Sequence, residues 1–487
     1  MSRDPAFSSA TALLRALRAR RIGSLELLDH YLERVARFNP ALNAVVVTNI
    51  EAARKAAKAR DRASRNQTAT SVLHGLPMTV KESFDVAGLP STWGMPALRG
   101  NIAQRNAAAV DRLQGAGAVV FGKTNIPVML ADWQSYNPVY GTTVNPWDAT
   151  RTPGGSSGGA AAALAAGLTA LEIGSDIGGS IRNPAHCCGV YGHKPTYGLV
   201  PAAGHAMPGS LFPVDINVAG PLARSAADLE LALKVLAGPD ATQARSWALK
   251  LAPARQKSLA DFRVAVVTDS TVAPVDMHIR NELDALAGFL SKSKVRVSRS
   301  ARPDLPEAEV YTLYVHLLRA ATSAIQNDPT SLRQAIEAAA HLRADDHSYQ
   351  AEQLRGNTMR HRDWIVASNR RHVLMQAWTD FFGSRDLLLC PAAPVVAFPH
   401  DHKGERATRM VEVDGRLRSV NEHLFWAGYS GVFYLPSTVA PIGRSPEGLP
   451  IGVQIIGPPG ADLACIRFAR LLEQAYYRFE APPGFAN

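Results

Sequence analysis

From end to end, the chain alternates between helical patterns of apolar residues and short apolar runs of strand length. Periods of 3.6 and runs of three to six residues cannot both be satisfied by an all-helical bundle or by a sandwich, so the alternation predicts an α/β fold with a mixed sheet. Helical patterns are read at residues 8–38, broken at Ile22–Gly23 with Ser24 as N-cap, and at Val110–Leu113, Ala160–Ala166 and Pro221–Leu236, the last capped by Ser225. Further helices are expected at Arg280–Leu290, Glu307–Ile325, Met359–Phe382 and Leu463–Tyr476. Strands are expected at Ala118–Phe121, Leu171–Ile173, Phe262–Val267, Val295–Val297, Leu387–Leu389 and Ile451–Ile455, with connectors near 238–260 and 300–306. No internal repeat is present.

Charge and cysteine content exclude several classes of function. The 487 residues carry a net charge of +10, with basic clusters at Arg54–Arg65 and Arg355–Arg371. Both read as helices with one solvated basic face, and no nucleic-acid motif accompanies them. Four cysteines, Cys187, Cys188, Cys390 and Cys465, show no zinc spacing and point to a reducing compartment, hence a cytoplasmic location. The N-terminus lacks the apolar core of a signal peptide, and no apolar run reaches the ~18 residues a membrane span needs. No ligand-spaced cluster suggests a metal, so neither metal nor cofactor is expected.

Two motifs fail on physical grounds. Residues 117–124 match GxxxxGK[ST], but the four intervening residues are Ala-Val-Val-Phe, a buried strand rather than a loop that could wrap phosphate. Residues 154–158 match GxSxG, but a polar turn precedes them where the nucleophile elbow needs a strand.

Three other segments carry chemistry. Lys81 closes a short apolar strand. Ser156 and Ser157 lie in Thr152-Pro-Gly-Gly-Ser-Ser-Gly-Gly159, which runs into an alanine helix. Ser180 ends Gly174-Ser-Asp-Ile-Gly-Gly-Ser180, after a strand. The Gly-Gly-Ser run can turn successive N–H groups toward one point, as an oxyanion hole requires. Taken singly, these are an edge lysine, an anion nest and a glycine-rich turn.

Together they resemble the amidase signature family. Ser180 follows Ser156 by 24 positions, and Lys81 precedes Ser156 by 75. Residues 136–141, 145–148, 192–196, 220–224 and 448–454 are family-like too, and the resemblance is weakest at about 240–385. It implies a single large domain with a central mixed, twisted sheet flanked by helices. Its parts would be N-terminal helices at 8–65, a catalytic core at about 70–240, a variable helical region at about 240–385 and the rest of the core at 386–487.

The resemblance also implies roles. Ser180 is the nucleophile, Ser156 the relay, preceded by a cis peptide bond, and Lys81 the terminal base, which must be neutral and therefore lowered in pKa by burial. The N–H groups of Ile177, Gly178, Gly179 and Ser180 form the oxyanion hole. Ser157 supports the relay by hydrogen bonding, and Asp176 pairs with Arg182 to shape the loop. Leu130, Ala131, Asp132 and Trp133 line the acyl side, with Trp426 as another wall. Glu82 departs from the Asp of many relatives but keeps the charge. His186 and His193 are read as packed or solvent-facing and Cys187 and Cys188 as packed small hydrophobes, none of them catalytic.

The implied activity is hydrolysis of a small-molecule amide, without nucleic acid or membrane; a homodimer is compatible with it. The alternative is the glutaminase subunit of an aminoacyl-tRNA amidotransferase complex. Alignment puts Leu424 where those relatives grip the glutamine amino group with an acid, although Glu422 is close. A catalytically dead binding protein is disfavoured by the presence of Lys81, Ser156 and Ser180.

Overall fold

Short apolar runs become the strands of two larger sheets, beside two two-stranded ones, in the computed structural model, which describes residues 4–66, 71–211, 213–324 and 328–486. The larger sheet has eight strands, in the order Arg296–Ser298, Arg263–Val266, Leu387–Pro391, Pro450–Ile456, Ser437–Arg444, Tyr191–Lys194, Val218–Ala223 and Glu172–Asp176. The first three strands pair in parallel and all the later pairs are antiparallel, so the sheet is mixed as expected. A three-stranded sheet sets Val119–Thr124 between Val45–Thr48 and Pro77–Lys81. Pro77–Lys81 runs parallel to its neighbour, with Lys81 opposite Thr124, and packs on Glu172–Asp176 at the edge of the large sheet. One apolar core extends from Ala10 in the first helix to Leu472 in the last.

Most of the expected elements form, with boundary changes that have local causes. The second helix is Ser24–Leu42, with Gly23 rather than Ser24 at its N-cap. The Asp61 carboxylate takes the N–H groups of Ser24 and Leu25 at 2.6 and 3.1 Å, satisfying donors that a first helical turn leaves free. The expected helix at Pro221–Leu236 is a strand, Val218–Ala223, followed by a helix, Ala226–Leu236. Ser225 caps that helix through Asp228 N–H. The basic stretch 355–371 spans two helices, Tyr349–Asn357 and His361–Ser384, and Arg371 is buried on Asp215 at 2.9 Å rather than solvated. The expected helix to Ile325 runs to Ser323; Ile325 lies outside the described residues.

Both rejected motifs take the structures their composition implies. Val119–Thr124 is a strand, and the buried Lys123 ammonium donates to Pro90 O at 2.5 Å and to Ser91 Oγ at 2.9 Å. Irregular chain after a turn at 149–150, not a strand, leads into Gly154. Among the described residues, no helix is long and apolar enough to cross a membrane, and no group of three or more His, Cys, Asp or Glu could hold a metal ion.

Candidate active site

Lys81 reaches the site because its strand ends beneath the large sheet, buried at every position. Its ammonium donates to Ser156 Oγ at 2.8 Å and to Ser175 Oγ at 2.9 Å. Burial lowers the Lys81 pKa to about 7, against the opposing pull of Asp176 and Glu172. Glu172, on the neighbouring strand, is pushed up to about 8 by burial, despite hydrogen bonding and the Lys81 charge. A lysine lowered and a glutamic acid raised side by side mark this as a strongly perturbed ionisable site.

Ser156 follows a cis peptide bond from Gly155. A Cβ at Gly155 would lie 2.3 Å from Asp132 O and 2.8 Å from the Trp133 carbonyl carbon, so only glycine lets this loop approach the 132–133 backbone. From Ser157 the chain enters the helix Gly158–Ala165, every residue of which is buried. The Ser157 N–H donates to Ser180 O at 3.1 Å and joins the two serine-bearing segments. The Ser157 hydroxyl donates to Ser175 O at 3.5 Å rather than to either relay group. The second hydroxyl beside Lys81 is that of Ser175. A serine in a strand carries no signal by sequence; only the packing of the two sheets brings it to Lys81.

Ser180 follows the strand Glu172–Asp176 and is 6% exposed, at the floor of a cavity of about 550 Å³. Asp176 and Arg182 form the expected ion pair, at 2.8 Å. Burial would raise the Asp176 carboxyl, but Arg182 and neighbouring donors hold it down at about 2. Asp176 also accepts from the N–H groups of Gly179 and Ile181 at 2.9 and 3.1 Å. Arg182 continues to Ala427 O, Ser430 Oγ and Gln454 Oε1. The loop is thus held from both sides. Gly179 supplies its turn at φ +91°, a conformation that side-chain-bearing residues rarely adopt.

The oxyanion expectation is corrected at one position, since the Gly179 N–H is already taken by Asp176. The cause lies in peptide geometry. Gly178 O accepts the Trp133 indole N–H at 2.9 Å, and in a planar trans peptide the following N–H points the opposite way, here onto Asp176. Ile177 O accepts the Tyr314 hydroxyl, so the Gly178 N–H turns away from Tyr314. Ile177, Gly178 and Ser180 remain as candidate donors.

Leu130, Ala131, Asp132 and Trp133 all line the cavity. Trp426 does not. It is fully buried and its indole donates to Ala273 O at 3.0 Å; the helix His423–Gly431 presents Leu424 to the cavity instead. The Glu422 carboxylate accepts from Arg418 at 3.0 Å. Glu82 takes the N–H groups of Thr92 and Trp93 and the Thr92 hydroxyl, bracing the turn beyond Lys81. His193 is buried between Thr438 and Asp462, and His186 between Val395 O and Gly452 N–H. The four cysteines are free and buried.

Sequence reasoning missed four residues at the cavity. His205, hydrogen-bonded to Ser83 Oγ at 3.0 Å, is lowered to about 3 by burial and by the Lys81 charge, and so stays neutral. Arg319, Arg406 and Arg409 come from segments far apart in sequence, and no local pattern marks them.

The model of the amidase family matches residues 26–466. Indoleacetamide hydrolase of Bradyrhizobium diazoefficiens is 33% identical over 456 residues, covering 92% of this chain and 82% of that protein. A glutamyl-tRNA(Gln) amidotransferase subunit of Deinococcus radiodurans is 32% identical, covering 96% of this chain and 97% of that protein. Among solved structures, an amidase superposes with a TM-score of 0.78 at 28% identity, covering 96% of this chain and all of that one. A bacterial aryl acylamidase of the amidase signature enzymes does so with a TM-score of 0.81 at 24% identity, covering 97% of each.

Proposed function

This chain belongs to the amidase signature family and is an amide-hydrolysing enzyme, and from that premise we propose that it cleaves a carboxylic amide through an acyl-enzyme on Ser180. The observation that carries this reading is a fully buried Lys81, lowered to about 7, hydrogen-bonded at 2.8 Å to a serine whose loop is bonded to the Ser180 segment.

In this reading each residue has one role. Neutral Lys81 takes the Ser156 proton as Ser156 takes that of Ser180, and the Ser180 Oγ adds to the amide carbon. The N–H groups of Ile177, Gly178 and Ser180 face the developing oxyanion. The Lys81 proton then returns through Ser156 to the departing nitrogen, without which an amine cannot leave. Water repeats the sequence on the acyl-enzyme and releases the carboxylate.

Hydrolysis by the chain alone is favoured over glutamine-dependent ammonia delivery by the cavity lining. Leu424 stands where a glutamine-gripping acid is expected, and the one carboxylate among the lining residues, Asp132, is held by Arg409 at 2.6 Å. The test is turnover of a panel of amides, esters and glutamine by the purified chain and by Ser180→Ala. A folded, inactive Ser180→Ala, with a fluorophosphonate probe labelling Ser180 in the wild type, is expected. Near-normal turnover by the variant, or labelling at Ser156, would overturn the assignment of the nucleophile.

A further inference from the structure

The cavity above Ser180 is lined by three guanidinium groups, of which one is neutralised. Arg409 donates to Asp132 at 2.6 Å and to the Tyr136 hydroxyl at 2.7 Å, so its charge is matched within the wall. Arg319 and Arg406 are different. Arg319, on the helix Glu307–Ser323, donates to the Tyr349 hydroxyl, and its Nε–H is buried without an acceptor. Arg406 donates to the same hydroxyl at 3.0 Å and to Asn421 Oδ1 at 3.2 Å, with its guanidinium 5.3 Å from the centre of the Trp133 ring. Among the described residues, neither has a carboxylate within ion-pairing distance. The nearby acids are committed elsewhere: Glu352 to His316, His347 and Arg355, and Glu422 to Arg418.

Two guanidinium groups sharing one phenol oxygen are an unusual concentration of charge in a half-buried wall. Each retains N–H donors, the groups face one cavity, and the other ionisable lining residues cancel or stay neutral. An anion with two acceptor oxygens satisfies such a pair, because a planar guanidinium matches a carboxylate in two-point geometry.

We propose that this enzyme selects amides carrying a carboxylate remote from the scissile bond, with Arg319 and Arg406 as the residues that bind it. The inference rests on the amidase reading and adds the substrate class. It also separates glutamine from its deaminated analogue. The glutamine ammonium would enter a cavity with two arginines that have no ion-pair partner among the described residues and with its one lining carboxylate, Asp132, held by Arg409.

The test uses paired amides in which an ethyl group replaces the carboxylate. Glutaric acid monoamide is compared with hexanamide for a carboxylate on the acyl side, and N-butanoylglycine with N-butanoylpropylamine for one on the amine side. In at least one pair the anionic member should have the higher kcat/KM, by about tenfold or more, as charge-assisted hydrogen bonds predict. The advantage should shrink with added salt, and glutaric acid monoamide should exceed glutamine. Arg406→Met and Arg319→Met should each lower the anionic-to-neutral ratio, mainly through KM.

Titration of the same ligands into Ser180→Ala reads affinity without turnover. If a variant fails to fold, the wild-type ratios and their salt dependence decide the matter. Neutral members matching or exceeding the anionic ones in both pairs would overturn the proposal while leaving the amidase reading intact. Absence of all turnover, with the carboxylates still bound preferentially to the chain, would overturn the mechanism and not the anion site.

Discussion

Lys81 carries the sharpest consequence at the scale of single residues. With its pKa lowered to about 7 by burial, its neutral form grows as pH rises through 7. Turnover that needs the neutral amine should therefore climb through the same range, and kcat/KM for an amide followed from about pH 5 to 9 checks it. A profile with its ionisation above about pH 9 would mean that the free enzyme keeps an ordinary lysine. Lys81→Ala should impair an amide by about 100-fold or more, and a matched ester with a phenolate leaving group distinctly less, because only the amine needs a proton as it departs. Equal losses on both substrates would remove Lys81 from the leaving-group step. The segments that carry Lys81, Ser156 and Ser180 stood out because three rare local patterns occur at fixed separations. Ser175, His205, Arg319 and Arg406 did not, since each is an ordinary residue in its own segment and meets the site only through folding.

Among the elements, the loop 152–159 is the one whose backbone path is decided by atoms outside it. A methyl group at Gly155 would collide with backbone at 132–133, and backbone cannot step aside as a flexible side chain can. Gly155→Ala should lower stability by about 1–3 kcal/mol, the usual range for overpacking, and reduce turnover by well over tenfold. Gly288 makes the contrast. It lies within the helix Met277–Lys292, and its Cβ would meet nothing within 4 Å. Gly288→Ala should raise stability by about 0.5–1 kcal/mol through helix propensity alone, with activity unchanged. Urea unfolding of the two variants beside the wild type checks both signs. The same distinction between local pattern and outside partners explains the stretch at 221–236. Its apolar density fits helix or strand equally, and pairing of Val218–Ala223 with Glu172–Asp176 selects the strand.

At the scale of the whole molecule, one apolar core reaches from the first helix to the last, a second gathers around the helix Gly158–Ala165, and the Lys81 strand packs on the strand Glu172–Asp176. A single calorimetric transition is expected; two resolved transitions would show that the N-terminal helices or the 240–385 region unfold independently. The amino-acid sequence by itself determined the α/β class, the three motif segments and the family, because these depend on local periodicity and on residue types at fixed spacing. The tertiary structure alone decided which hydroxyl accompanies Ser156 at Lys81, which loop N–H groups are bonded to Asp176, and what charge the cavity presents. Those are properties of distances between segments remote in sequence, and burial, hydrogen-bond partners and net charge at a site exist only once packing has set those distances.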